Sequence, residues 1–247
     1  MCGIAALYSY AADGPPVQQD VLAAINQAMV RRGPDGEGLW MSDDRRAGLA
    51  HKRLAIIDLS ADGAQPMIME TPQGHLCISF NGEIYNFREL RRQLETDGVR
   101  FVSNSDTEVL LHLYQRDGRA MTKHLRGMFA FAIWDEQRRG MLLARDGFGI
   151  KPLYYMDDGK TIGAASQVKA LLAGQKAAGR SRPQFDAAGH VGFFLFGSIP
   201  EPHTLYKDIR ALPAGTTMWI DGNGVGQPEA FFDVSDALAS ADANAAT

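Results

Sequence analysis

A cysteine stands directly behind the initiator methionine, in Met1-Cys2-Gly3-Ile4. Cysteine is small enough for methionine removal, after which Cys2 would carry a free α-amine beside its thiol. A thiol of pKa about 8.5 is only a few per cent thiolate at neutral pH, but it is intrinsically very nucleophilic. An α-amine of pKa about 7.7–8.0 is roughly a tenth to a fifth neutral at pH 7, which suits a base working through water. One residue would then hold both a nucleophile and its base. The same pattern arises wherever a small residue happens to follow Met1.

Three further groups carry usable chemistry, and each has an equally simple structural reading. Asn81-Gly82 lies between two apolar runs and fits a type I′ hairpin turn. It also fits an oxyanion hole, with the Asn81 carboxamide and the Gly82 N–H as donors. Ser105-Asp106-Thr107-Glu108 matches a capping box at a helix start, with Asp106 favoured by the helix dipole. Asp106 is alternatively a ligand for a substrate ammonium. Arg53 heads a strand-like run in His51-Lys52-Arg53-Leu54-Ala55-Ile56-Ile57-Asp58, either as a surface residue or as a two-pronged clamp on a carboxylate. Cys77, within Leu76-Cys77-Ile78, reads as a buried structural thiol. The six histidines show no metal-ligand spacing, so no metal is expected.

These residues need a scaffold, and the apolar periodicity predicts one. Strands are expected over 2–10, 46–59, 75–80, 128–134, 141–145, 153–156, 161–165 and 216–220. Helices are expected over about 18–31, 86–96 and 106–116, from Val21, Leu22, Ile25 and Met29, then Phe87, Leu90 and Leu94, then Val109, Leu110 and Leu113. Arg31-Arg32-Gly33-Pro34-Asp35-Gly36-Glu37-Gly38 is too glycine-rich for either element. Short turns between strands favour antiparallel pairing and an α+β layered domain. From Asp233 to Thr247 the chain turns Ala/Asp/Ser-rich, as a tail or linker does, although a short helix fits as well.

Composition narrows the partners. At 247 residues the chain can bury roughly 70–75% of its unfolded surface. The net charge of −4 and scattered arginine pairs give no case for nucleic acid or anionic membrane. No apolar run approaches a membrane span, no signal-peptide pattern opens the chain, and two cysteines make no disulfide framework. A cytoplasmic protein is the expectation.

Taken together, the motifs resemble one family. Met1-Cys2-Gly3-Ile4, Arg32-Gly33-Pro34-Asp35, the run 51–58, Gly63-Ala64-Gln65-Pro66-Met67, Phe80-Asn81-Gly82-Glu83-Ile84-Tyr85-Asn86 and Ser105-Asp106-Thr107-Glu108-Val109 follow the order and spacing of one domain. So do the runs 125–132, 145–155 and 196–200. That domain is the glutaminase domain of glutamine-hydrolysing asparagine synthetases, and the similarity covers residues 1–232. The Gly-Pro-Asp loop is closer to asparagine synthetases than to sugar-phosphate or purine-pathway amidotransferases.

The resemblance implies a class II glutamine amidotransferase with the N-terminal-nucleophile fold, an αββα sandwich of two stacked antiparallel sheets. It implies Cys2 as nucleophile with its α-amine as base, and Asn81 and Gly82 as oxyanion donors. Arg53 would clamp the α-carboxylate of L-glutamine beside a wall made by Leu54, Ala55, Ile56 and Ile57. Glu83 and Asp106 would receive the α-ammonium. Glutamine would be hydrolysed to glutamate and ammonia through a γ-glutamyl thioester, for a synthetase domain or subunit. Two alternatives stand beside this: a glutaminase half serving a different acceptor, and a non-catalytic glutamine-binding regulatory domain. No cofactor is expected in this chain, ATP and Mg entering only with a synthetase part, and a homo-oligomer is left open. The chain lacks the Ser-Gly-Gly-x-Asp-Ser type of loop that opens such a synthetase domain, so it reads as a fragment or a free-standing subunit, with 233–247 leading toward the missing part. Gln167 stands where the family usually has glutamate, and nothing in the sequence explains the change.

Overall fold

The computed structural model describes residues 1–55 and 61–245. In chain order its elements are β1 (Gly3–Ser9), α1 (Gln19–Gln27), β2 (Gly36–Met41), β3 (Ala47–Arg53), β4 (Met67–Thr71) and β5 (Gly74–Ile84). Then come α2 (Phe87–Thr96), α3 (Asp106–Asp117), β6 (Gly127–Asp135), β7 (Gly140–Arg145), β8 (Tyr154–Asp157), β9 (Thr161–Ala165) and α4 (Val168–Ala177). The chain continues through α5 (Ala187–Phe196), β10 (Arg210–Ala211), β11 (Thr216–Asp221), β12 (Gly224–Val225), β13 (Glu229–Ala230) and α6 (Val234–Ala245). One sheet has the order β10-β8-β9-β1-β3-β2, and the other β12-β11-β7-β6-β5-β4 with β13 on β11. The pairings that build both are antiparallel.

Side-chain alternation along the strands makes this a four-layer stack. In β1, Ile4, Ala6 and Tyr8 face the second sheet and pack with Leu49, Cys77, Ala132 and Trp134. Their neighbours Ala5 and Leu7 face the other way, onto Leu22 and Ile25 of α1 and Leu171 of α4. In β5 and β6, Ile78, Phe80, Phe129 and Phe131 turn outward against Val109, Leu110 and Leu113 of α3. The αββα sandwich expected from the resemblance is therefore present. It also explains why β1, β5 and β6 read as unbroken apolar runs, since both faces are covered.

Several sequence expectations need correction. Asn81-Gly82 is not a hairpin turn: β5 runs straight through it, paired Asn81 to Ala130 and Gly82 to Phe129. The β4–β5 reversal lies at Thr71–Gly74, where Gly74 takes a φ of 130°. Gly82 serves close approach instead, since a Cβ there would sit 2.3 Å from the Met128 carbonyl oxygen. The capping box is half formed. Ser105 Oγ accepts from Thr107 N at 3.2 Å, but Glu108 reaches past the cap to Val102 N and Ser103 N at 2.8 and 2.6 Å. The expected helix over 18–31 ends at Gln27, with a 3₁₀ turn at Val30–Arg32. The strand expected over 46–59 stops at Arg53, and its 56–59 portion lies outside the described residues. Two helices, α4 and α5, were not expected: α4 is Ala/Gly-rich and α5 is apolar on all sides, so neither shows a clean stripe. The Asp233–Thr247 stretch opens on helix α6.

Candidate functional site

Cys2 lies at the open end of β1, where Gly3 pairs with Lys52 of β3. Its backbone is tied down from both sides. Arg32 Nε donates to the Cys2 carbonyl at 2.8 Å, and two residues on, Ile4 N donates to Ser166 Oγ at 3.1 Å. The sulfur accepts the Leu54 N–H at 3.3 Å. Burial pushes the Cys2 thiol up, and the Leu54 N–H, the N-terminal ammonium, Lys151 and Arg32 oppose that rise. Met1 lies at the mouth of the same pocket.

The Arg32-Gly33-Pro34-Asp35 loop, which the sequence left without an assigned task, builds this corner. Arg32 holds Cys2, as above. At Gly33 a Cβ would fall 2.3 Å from the Lys52 carbonyl carbon and oxygen, so only glycine lets the loop lie on β3. Asp35 then straps the segment after β3: its N–H donates to Arg53 O at 3.0 Å and its Oδ2 accepts Ala55 N–H at 3.0 Å. Leu54 thereby keeps its N–H aimed at the sulfur.

The second sheet supplies the facing wall. Strand parity places Asn81 on the side of Cys77 and Ser79, toward the first sheet. Two cross-sheet bonds fix the spacing there: Ser79 Oγ to Ala50 O at 2.8 Å and His51 Nε2 to Phe80 O at 3.0 Å. His51 is buried, and burial lowers its pKa to about 4, so the ring is neutral and Nε2 is the donor. Asn81 is 1% exposed, and among the described residues its Nδ2 has no hydrogen-bond partner. A buried amide N–H without a partner is rare and costly, and here it lines the pocket that holds Cys2.

Backbone alternation places a second donor beside it. The N–H groups of residues 80, 82 and 84 point to the edge of β5 away from β6. Phe80 N–H is taken by Gln65 Oε1 at 2.7 Å and Ile84 N–H by Asp106 Oδ2 at 3.0 Å. The Gly82 N–H lies between those two on the same edge. Gln65, a residue the sequence reading quoted without a role, also donates from Nε2 to Thr107 Oγ1 at 3.2 Å, tying β5 to α3.

The charged groups converge on the same pocket. Arg53 closes β3 and lines it, as do Leu54, Ala55, Glu83, Asp106 and Lys151. Asp106 begins α3, and desolvation raises its pKa to about 6, with the Glu83 charge adding to the rise. Above that pH the buried carboxyl is mostly ionised, an unfavourable state that an incoming ammonium would relieve. Of the residues expected in the site, Cys2, Arg53, Leu54, Ala55, Asn81, Gly82, Glu83 and Asp106 come together. Ile56 and Ile57 lie outside the described residues. His51, Gln65, Thr107 and Lys151 join them without having been singled out. Cys77 is fully buried, with its thiol pKa raised by desolvation, away from this chemistry. Gln167 precedes α4 with its Oε1 buried and unpartnered, and the structure offers no account of it. Among the described residues no group of three or more His, Cys, Asp or Glu is disposed to hold a metal, and no helix is long and apolar enough to cross a membrane.

Comparison with known proteins points to one family. The glutamine amidotransferase domain family matches residues 1–231. Asparagine synthetase [glutamine-hydrolyzing] 1 of Bacillus subtilis is 38% identical over 84% of this chain and 31% of its own length. A putative asparagine synthetase [glutamine-hydrolyzing] 2 of Methanocaldococcus jannaschii is 34% identical over 90% of the chain and 44% of its own length. Amidase chry2 of Gibberella zeae is 39% identical over 70% of the chain and 26% of its own length. The chain thus spans less than half the length of these relatives. Among solved structures, a glutamine phosphoribosylpyrophosphate amidotransferase from B. subtilis superposes with a TM-score of 0.68, covering 94% of this chain and 49% of that one at 22% identity. At that identity the likeness speaks to the fold.

Proposed function

The chain belongs to the class II glutamine amidotransferase domain family, and on that premise we propose that its pocket hydrolyses glutamine to glutamate and ammonia through Cys2. The observation that carries the assignment of roles is the buried, unpartnered Asn81 Nδ2 in the pocket of Cys2. A donor kept without an acceptor in the resting protein suits an acceptor oxygen that becomes charged only during reaction.

In this reading, removal of Met1 frees the Cys2 amine. Arg53 pairs with the α-carboxylate of glutamine, and Glu83 and Asp106 take its α-ammonium. That anchoring directs the side-chain amide toward the sulfur. The Cys2 thiolate attacks the amide carbon, and the oxygen gains negative charge between Asn81 Nδ2 and the Gly82 N–H. The α-amine, protonated as the thiol ionises, returns its proton to the leaving ammonia as the C–N bond breaks. Water, deprotonated by the same amine, then cleaves the thioester and restores the thiol. Gln65 and Asp106 occupy the N–H groups on either side of Gly82, which keeps the one between them in register.

The test is glutaminase activity of purified Cys2→Ala protein. No turnover is expected, and activity near wild type would remove Cys2 from the mechanism. The ammonia is destined for a synthetase domain or subunit, and ATP and magnesium belong with that part. Relatives with two different names match this domain at similar identity, which favours an acceptor chosen outside it. Assaying the full protein with aspartate and ATP separates asparagine synthesis from a different acceptor. Retention of isotopic ammonia derived from glutamine in asparagine is the result expected of a synthetase.

A further inference from the structure

Lys151 has a setting that the mechanism above does not use. It closes the loop after β7, and its backbone is gripped at both ends. The fully buried Asp146 accepts N–H groups from Phe129, Phe148, Ile150 and Lys151 at 3.1, 3.1, 3.0 and 2.9 Å. Arg145 donates to the carbonyls of Lys151, Leu212 and Gly149 at 3.1, 2.7 and 2.8 Å and pairs with Glu201 at 2.8 Å. Lys151 itself is 6% exposed and lines the pocket of Cys2. Among the described residues its Nζ has neither a hydrogen-bond acceptor nor a carboxylate at ion-pair distance. Its ammonium therefore reaches the pocket without being engaged elsewhere and is available to an anion formed there.

The other charged groups facing this pocket are the N-terminal ammonium, Arg32 from the turn after α1, Arg53 from β3, Glu83 from β5 and Asp106 from α3, while His51 is neutral. Arg32 is already committed to the Cys2 carbonyl, and Glu83 and Asp106 carry the role of ammonium acceptors. That leaves the Cys2 sulfur as the group in the pocket that gains negative charge. Because the α-ammonium formed beside it gives its proton up to the leaving ammonia, Lys151 is a cation that keeps its charge throughout.

We propose that Lys151 is the resident counter-cation of the Cys2 thiolate, fixed in place by the Asp146 and Arg145 grip on its loop. The inference rests on Cys2 being the nucleophile. Lys151 transfers no proton and forms no bond. The thiol proton goes to the α-amine or solvent, the charge left on sulfur is balanced by the ammonium, attack moves that charge to the amide oxygen, and thioester cleavage returns it to sulfur. Lys151 is thus a positioning residue that acts through Cys2. Among the electrostatic influences on the sulfur, Lys151 lowers the pKa and ranks beside the N-terminal ammonium and Arg32.

The deciding experiment follows alkylation of Cys2 by iodoacetamide between about pH 5 and about pH 10. Thiolate displaces iodide from the reagent carbon, and mass spectrometry of the N-terminal peptide counts Cys2 separately from buried Cys77. In Lys151→Met and Lys151→Gln the midpoint should rise by about one pH unit or more, with the high-pH plateau rate unchanged. Lys151→Arg, which keeps the charge, should return the midpoint toward wild type. Glutaminase kcat of the two neutral variants should fall about tenfold at neutral pH and recover at high pH. A midpoint unmoved in either neutral variant that remains folded overturns the proposal. Alkylation needs no glutamine, so active Cys2→Ala protein would refute the mechanism while leaving the alkylation midpoint to judge Lys151 on its own.

Discussion

Asn81→Ala should separate stability from activity. In the folded protein Asn81 Nδ2 is buried with no acceptor, a condition that costs about 1–3 kcal/mol. Truncation removes that cost and leaves a void. At about 24 cal/mol per Å3, a void of about 40 Å3 takes back roughly 1 kcal/mol. The difference runs from about zero to about 2 kcal/mol in favour of the variant, so Asn81→Ala should be as stable as wild type or somewhat more so. The transition state loses a preorganised donor, for which about 2.7–4 kcal/mol is typical, or on the order of 10²–10³ in kcat. KM should move little, because the ground-state amide oxygen gains less from the same donor. The assay is glutamate formation against glutamine concentration, paired with urea denaturation of the same sample. Two results would refute the reasoning: kcat within about threefold of wild type, or a stability loss large enough to explain the lost rate by unfolding.

Two buried groups give opposite pH signatures. Asp106 has its folded pKa raised to about 6, chiefly by desolvation, so the stability tied to its protonated form is present below about pH 4 and lost as pH rises through about 6. A shift of about two units corresponds to roughly 3 kcal/mol, so Asp106→Asn should be more stable than wild type at pH 7.5 by up to about that amount, equal near pH 4, and weak for glutamine. Urea midpoints at the two pH values check this, and a less stable Asn variant at pH 7.5 would count against it. His51 has its folded pKa lowered to about 4, so its contribution is present above about pH 6.5 and lost as pH falls through about 4. Wild-type stability should therefore be nearly flat between about pH 4 and 6, and Asp106→Asn should expose the acid slope from His51 as a rise in stability with pH. A slope of opposite sign in that variant would be incompatible with a neutral His51. Gly33→Ala forces a Cβ to 2.3 Å from the Lys52 backbone, which cannot swing aside, and should cost at least about 1–3 kcal/mol. Because Arg32 and Asp35 flank it, kcat should drop in the folded fraction too, and full activity in stable protein would dismiss the loop as a positioning device.

Much of this candidate site is legible in the sequence, and what is not has physical causes. Cys2, Arg53, Asn81 and Asp106 were singled out because their side chains can do chemistry whatever the fold. Asn81-Gly82 misled in its local reading because a type I′ turn and a glycine under a neighbouring carbonyl call for the same residue pair. Only the pairing of Gly82 with Phe129 across β5 and β6 tells them apart, and that is a long-range fact. Gln65, His51 and Lys151 went unassigned for a related reason: each works through a partner distant in sequence, as Gln65 does with Phe80 and Thr107. Helix α5 shows no amphipathic stripe because Phe194, Leu195 and Phe196 are exposed while Gly189 and Gly192 are its buried contacts. Glu108 was read as the partner of Ser105 from their spacing, yet the loop at Val102 and Ser103 presents its N–H groups closer.

The central claim is a covalent bond between Cys2 and the glutamyl group of glutamine. Protein lacking Met1, acid-quenched during turnover with isotopically labelled glutamine and digested, puts that claim to mass spectrometry of the N-terminal peptide. A labelled γ-glutamyl adduct on Cys2, discharged by hydroxylamine and absent from Cys2→Ala protein, is the expected result. Steady release of ammonia with Cys2 unmodified at every quench time, and with hydroxylamine trapping no labelled glutamyl group, would contradict it.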